Sequence, residues 1–352
     1  MDIAKEIRKG EELDWVTLED YLRKAIPELK EKMSVGQFHG GHANLTYLLT
    51  FGETELILRR PPFGKIAPGA HDMKREYRVL SKLYKYFTPA PRAYHHCADE
   101  SIIGAQFVIV ERKTGVVVRT EILDCFKVME DPENRIAAAM IRAQADLHLV
   151  DYEVADLSNL GRPEGFLERQ LAGWTKRWNW AKTEENKTVD GIITWLQSDV
   201  PIPHRVSIIH NDIKPDNCQF QPDNPDVVTA IFDWDMCTLG DPLTDFATTL
   251  SYWPDNRMDV SRAKNLPVAL KGNFPPKSFL INKYQEYTGF DLSRLVWYEV
   301  FSYWKSAVIA QQLFKRFVDG ETTDERMGKF GESAKVIIDL AQRIIEESEK
   351  NN

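Results

Sequence analysis

Cysteine is scarce in this 352-residue chain: there are four, at positions 97, 125, 218 and 237, and no two form a Cys-x-x-Cys pair. That scatter excludes a thiolate zinc site and a disulfide framework, and it fits a reducing compartment. Long apolar runs are missing too, so nothing approaches the length that spans a bilayer. The charged stretch from Met1 to Glu12 lacks the apolar core of a secretory signal. Positive charge is in deficit, with 45 Lys and Arg against 53 Asp and Glu and a formal net charge of -8. Such a balance gives no electrostatic case for nucleic acid or an anionic membrane as the main partner. There is no internal repeat, no low-complexity linker and no Gly-Lys-Ser/Thr Walker sequence. What remains is the composition of a soluble globular protein, 43% hydrophobic and 28% charged. The chain is long enough for two lobes with their own cores, and the cytoplasm is the expected location.

Patterning separates the chain into a strand-rich beginning and a helical remainder. Thr17-Leu18-Glu19-Asp20 has the form of a capping box, opening a short helix with Leu18, Leu22, Ala25 and Ile26 as its apolar stripe. Strands are predicted over 34–38, 44–51 and 53–60, the last two joined at Gly52 and the third ended by Pro61-Pro62. Residues 70–87 have helical spacing, 106–111 read as a short apolar strand, and Lys113-Thr114-Gly115 breaks it. Helices are predicted over 132–149, 165–182 and 188–197, with more beyond Thr244. The expected class is α+β, a two-lobed plan with a β-rich N-lobe over 1–112, a mostly helical C-lobe over 113–352 and a hinge near 111–115.

Chemistry is concentrated in His210-Asn211-Asp212-Ile213-Lys214-Pro215-Asp216-Asn217 and in Ile231-Phe232-Asp233-Trp234-Asp235. Each segment alone is an ordinary polar turn. Together they supply what phosphoryl transfer needs: a carboxylate to take a hydroxyl proton, and two oxygen ligands for magnesium on nucleotide phosphates. Other clusters are weaker. His39 and His42 read as a solvated loop without a carboxylate or thiolate beside them. His95-His96-Cys97 lies on an extended segment, where neighbours face opposite ways. Trp174, Trp178, Trp180, Tyr252, Trp253, Trp297, Tyr303 and Trp304 read mainly as helix-packing core, with an acceptor pocket as the other reading.

These residues carry a resemblance to the aminoglycoside phosphotransferase-like kinases, whose fold is similar to that of protein kinases. Within that family the chain most resembles the kinase-like domains that also occur fused to acyl-CoA dehydrogenases. The resemblance covers roughly Val35 to Ile344 and is strongest at 40–47, 56–62, 75–77 and 210–247. It implies ATP and Mg2+ as cofactors. Asp212 becomes the general base, His210 a scaffold for its loop, and Lys214 a cation in reach of the transferring phosphate. Asn217 and Asp233 become the magnesium ligands. Gly40, Gly41 and Asn44 belong to a loop whose backbone approaches phosphate. Arg59 stands where such kinases usually have a lysine, Glu76 at its ion-pair partner, and Glu111 and Lys113 at the adenine hinge. Asp241 reads as a helix cap and Asp245 as a brace for the catalytic loop, while Asp235 either assists the metal or orders its turn.

The activity so implied is transfer of the γ-phosphoryl group of ATP to a hydroxyl of a small molecule, a hydroxyacyl compound on the closer resemblance. Two alternatives stay open: an aminoglycoside or other antibiotic kinase, and a nucleotide-binding pseudokinase, the latter favoured by Arg59 for lysine and by Asn211 where the family usually has glycine. A protein kinase is disfavoured by the lack of Asp-Phe-Gly and Ala-Pro-Glu. Oligomeric state is not legible.

Overall fold

The structure, a computed structural model, describes residues 4–39, 44–64, 71–257 and 273–350. In chain order it opens with α1 (Trp15–Ala25), β1 (Met33–Phe38), β2 (Leu45–Phe51), β3 (Thr54–Arg60), α2 (Met73–Leu83), β4 (Ala93–Cys97) and β5 (Phe107–Glu111). β6 (Val116–Val117), α3 (Asp124–Lys127), α4 (Pro132–Leu149), α5 (Phe166–Ala181), α6 (Lys187–Ser198) and β7 (Ser207–Ile209) follow. The remainder is β8 (Cys218–Gln221), β9 (Asn224–Ile231), β10 (Thr238–Gly240), α7 (Pro242–Ser251), α8 (Lys277–Thr288), α9 (Leu295–Val318) and α10 (Glu325–Lys350). A small antiparallel sheet thus precedes a predominantly helical region, with about 47% helix in all. Among the described residues no helix is long and apolar enough to cross a membrane.

The chain divides into two compact units. One comprises Met1–Val118, Leu123–Gly161 and Lys214–Thr238; the other comprises Arg119–Ile122, Arg162–Ile213 and Leu239–Asn352. The division falls within the 210–217 motif, with Asp212 in the second unit and Lys214 onward in the first.

In the first unit the sheet runs β1-β2-β3-β5-β4. β2 alternates strictly, burying Leu45, Tyr47, Leu49 and Phe51 on one face, which is the period-two pattern of a half-covered antiparallel strand. Gly52 turns β2 into β3 at φ +60, a conformation that a Cβ would strain. α1 buries Leu18 and Leu22 completely. Its cap is Asp14, not Thr17 as the capping-box reading had it: Asp14 Oδ1 accepts from Thr17 N at 3.0 Å and Oδ2 from the Thr17 hydroxyl at 2.7 Å. A carboxylate placed three residues upstream takes the free first-turn amide, so the helix starts earlier. α2, capped by Asp72, buries Met73, Glu76, Val79, Leu80 and Leu83. An acid on that inward face requires a cation, and β3 supplies one.

β4, not expected as a strand from its pattern, pairs with β5 through a register shift between Ala93 and His95. His95 Nε2 meets the Tyr21 hydroxyl at 2.9 Å, whereas the His96 ring stacks on Tyr77. After β5, Gly115 passes so close to β8 that a Cβ would lie 2.6 Å from the Phe220 carbonyl oxygen. The chain thus needs glycine at this connector. α4 packs on β9, the second strand of the β8–β9 hairpin.

In the second unit α9 is the central element, packed on α5, α6, α7 and α10. Trp297, Tyr303 and Trp304 of α9 are at most 3% exposed, Trp174 and Trp178 of α5 at most 7%, and Trp253 2%. The core reading of these aromatics holds for them, while Trp180 is 54% exposed.

Candidate active site

The first unit gathers the metal and phosphate candidates. The β8–β9 ladder pairs Cys218 with Ile231, and it continues one step further where Phe232 N donates to Asn217 O at 2.9 Å. Asn217 closes a 3-10 turn over 215–217, and Asp233 follows Phe232 in the left-handed region at φ 70. Trp234, fully buried, donates its Nε1–H to Ile231 O at 2.7 Å and anchors the Asp233 turn. Two hard oxygen donors therefore sit at the same end of one hairpin.

Arg59 reaches this turn from β3. One guanidinium nitrogen binds Glu76 Oε1, and Nη2 binds Asp233 Oδ1 at 2.8 Å. The planar fork can hold two carboxylates at once, which a lysine point charge does less well. Burial works against the Arg59 charge, but Glu76 and Asp233 outweigh it and hold the guanidinium above its ordinary value. Burial pushes the Glu76 carboxyl up to about 7 despite the cation beside it. Asn44 Nδ2 lies 3.4 Å from Asp233 Oδ1, and its Oδ1 accepts from His71 Nδ1 at 2.8 Å. Asp235 adds its field to Arg59 and Glu76.

The fit to magnesium can be judged from these donors. Among the described residues no group of three His, Cys, Asp or Glu is arranged to hold a metal. An amide oxygen and a carboxylate on adjoining hairpin positions suit a hard cation that takes its other ligands from phosphate and water.

The second unit positions Asp212. Asp245, buried in α7, accepts from His210 N at 2.8 Å through Oδ2 and from Asn211 N at 2.7 Å through Oδ1. His210 is fully buried, and its Nδ1 accepts from Asp212 N at 3.2 Å. Asn211 has φ 70, a left-handed position that glycine or asparagine tolerates, so its presence where glycine is usual costs little. The Thr249 hydroxyl donates to Ile213 O at 3.0 Å. Tyr252, at the end of α7, donates its hydroxyl to Asp212 Oδ1 at 2.6 Å. Asp241 caps α7 by accepting from Leu243 N at 2.9 Å, and the Tyr298 hydroxyl donates to its Oδ2 at 2.5 Å.

Set against the expectations, Arg59, Glu76, Asn44 and Asp233 are joined in one cluster, and His210, Asp212 and Asp245 in another. Glu111 and Lys113 lie at the end of β5, where Glu111 exchanges backbone and side-chain bonds with Arg92, at 2.7 and 3.0 Å, and Lys113 Nζ approaches Glu111 Oε1 at 3.2 Å. Lys214 opens the turn that carries Asn217, whose N–H bonds its carbonyl at 3.0 Å. Gly40, Gly41 and His42 lie outside the described residues. Sequence reasoning missed the bond from Tyr252 to Asp212, because an aromatic forty positions downstream has no local signal.

The arrangement has counterparts among known proteins. The phosphotransferase enzyme family model matches residues 34–264, and the chain belongs to that family. It is 29% identical over 338 residues to the mouse protein named acyl-CoA dehydrogenase family member 10, a match over 94% of this chain but only 31% of the relative. The chain thus spans about a third of that relative's length. Among solved structures it is similar to a Ralstonia eutropha protein described as an aminoglycoside phosphotransferase, with TM-score 0.77, 27% identity and coverage of 96% and 99% of the two chains. It also shares the fold of choline kinase from Cryptosporidium parvum, with TM-score 0.64 at 14% identity over 96% and 97% of the chains.

Proposed function

We propose that the chain is an ATP- and magnesium-dependent small-molecule kinase that moves the γ-phosphoryl group to a hydroxyl of a hydroxyacyl compound. The observation that carries this reading is Arg59 bound at once to Glu76 and Asp233, a strand cation tied to a helix carboxylate and to a carboxylate suited to magnesium. A purely structural ion pair needs only one of the two acids.

In this reading Arg59 grips nucleotide phosphate while Glu76 fixes its direction, and Asn217 with Asp233 holds the ion. Magnesium bound there supplies charge neutralisation on the phosphates. Asp212 accepts the acceptor hydroxyl's proton as transfer proceeds; Asp245 and His210 hold the loop that carries it. Lys214 adds positive charge toward the transferring group, and Gly40, Gly41, Glu111 and Lys113 position the nucleotide. The catalytic contribution is orientation and electrostatics rather than covalent chemistry. The relative named for an acyl-CoA dehydrogenase supports a hydroxyacyl acceptor.

Slow hydrolysis of ATP, with GTP as a parallel arm, tests the reading. Magnesium-ATP should raise the Tm, and Asp212→Ala should abolish turnover while leaving that shift in place. Turnover that survives in Asp212→Ala removes Asp212 from the mechanism.

One observation favours a second reading. Arginine stands at position 59, where such kinases usually have lysine, as in a pseudokinase that binds nucleotide without transfer. Phosphorylation of any hydroxylated compound in an Asp212-dependent manner ends that reading.

A further inference from the structure

Lys305 lies near the middle of α9, the central helix of the second unit, and is 8% exposed. Among the described residues it has neither a hydrogen bond nor an ion pair, and its Nζ lies 5.8 Å from the centroid of the Trp174 ring. A second cation shares that ring, with Arg177 Cζ 4.3 Å from its centroid. The other charges that act on Lys305 are Asp245 and Asp212, from α7 and from the loop after β7.

This arrangement is costly unless something completes it. A desolvated ammonium without an ion-pair partner is disfavoured relative to one in water. Burial accordingly pulls the Lys305 amine below its ordinary value, with the two aspartates opposing the shift and Arg177 adding to it. Both act on it from a distance, and neither forms an ion pair with it among the described residues. A neutral residue would pack on Trp174 at lower cost, so the charge itself needs a reason.

We propose that Lys305, with Arg177 beside the same indole, is an anchor for an anionic oxygen group, a carboxylate or a phosphate ester, on the molecule whose hydroxyl Asp212 activates. This deepens the kinase reading and rests on it for the word acceptor. The aromatic wall of Trp174 suits an apolar carbon segment between the anionic end and the hydroxyl. Polycations and quaternary amines are disfavoured, because a buried ammonium and an adjacent guanidinium repel them.

Two measurements test this, one of them independent of catalysis. The first is the Tm of wild type, Lys305→Met and Lys305→Gln at constant ionic strength with succinate, methyl phosphate or chloride. Succinate or methyl phosphate should stabilise wild type by a few degrees more than chloride and leave the variants unmoved, and whichever succeeds identifies the anion. No shift in wild type, or equal shifts in the variants, overturns the anchor; the wild-type arm decides even if both variants fold poorly. The second is ATP turnover with short hydroxycarboxylates, phosphorylated alcohols, neutral polyols and amino alcohols. An anionic pool should stimulate best, and Lys305→Met should raise KM roughly tenfold with kcat little changed. Asp212-dependent turnover with amino alcohols or polyols alone overturns the anchor and leaves the kinase standing. An anion-dependent Tm shift without turnover by any pool leaves the anchor and removes the kinase.

Discussion

The Tyr252 hydroxyl donates to Asp212 Oδ1 at 2.6 Å, so the end of α7 holds the carboxylate proposed as base. A bond to a charged acceptor contributes about 1.5–3 kcal/mol, enough to fix one rotamer of a short side chain. Tyr252→Phe should therefore lower kcat for ATP hydrolysis by roughly tenfold, while Tm changes by no more than a few degrees. Steady-state kinetics with a parallel melt separates the two effects. Unchanged kcat would mean that Asp212 is oriented by its loop alone.

Arg59 is shared by two carboxylates, and Glu76 is fully buried. Removing one partner of a buried pair costs about 3–5 kcal/mol when the other stays charged. Arg59→Met should lose most of that in urea unfolding, and should also lose the Tm shift from magnesium-ATP. Arg59→Lys should recover stability better than nucleotide binding, because a single ammonium spans the two acids poorly. A lysine variant that binds nucleotide as well as wild type would count against the fork geometry.

Asp245 accepts the backbone amides of both His210 and Asn211. Asp245→Ala strands two donors, each at a cost of about 1–3 kcal/mol. Chemical denaturation should show a loss of that order, with activity falling along with it. Asp245→Asn, which retains one acceptor oxygen, should fall between the two proteins. An alanine variant as stable as wild type would show that the loop is held elsewhere.

The Asp255 carboxyl is bonded by Arg257 at 2.6 Å and Lys277 at 2.7 Å. Burial opposes its charge, but the two cations outweigh it and hold the carboxyl well below the usual carboxylate range. The sign follows from linkage: a lowered folded value contributes stability above the unfolded value near 4, and that stability is lost as pH falls further. Wild type should thus melt above Asp255→Asn at pH 7, with the gap closing as pH drops below about 4. A gap constant down to pH 3 would mean that Asp255 contributes shape rather than charge.

Much of the first unit was legible because its signals are local. Strand patterning placed β2 and β3 and helical spacing placed α2, and in the second unit Asp241 marked the start of α7. β4 escaped because its histidines break the alternation and a bulge shifts its register. The cap of α1 was misassigned because Asp14 and Thr17 are both competent caps, and only the backbone path decides between them. The candidate site was legible as a set of types and spacings. Asp233 to Arg59 and Tyr252 to Asp212 were not, because the partners are far apart in sequence and converge only through packing.

By itself the order of residues determined which groups are available: a candidate base, two candidate oxygen ligands, a strand arginine and a helix glutamate, each on an element whose pattern is local. Only the tertiary structure decided that Arg59 serves two acids at once, that Tyr252 bonds Asp212, and that Lys305 is buried without an ion-pair partner among the described residues. Hydrogen bonds and desolvation depend on distances of a few ångströms between elements remote in the chain, and linear spacing does not encode them.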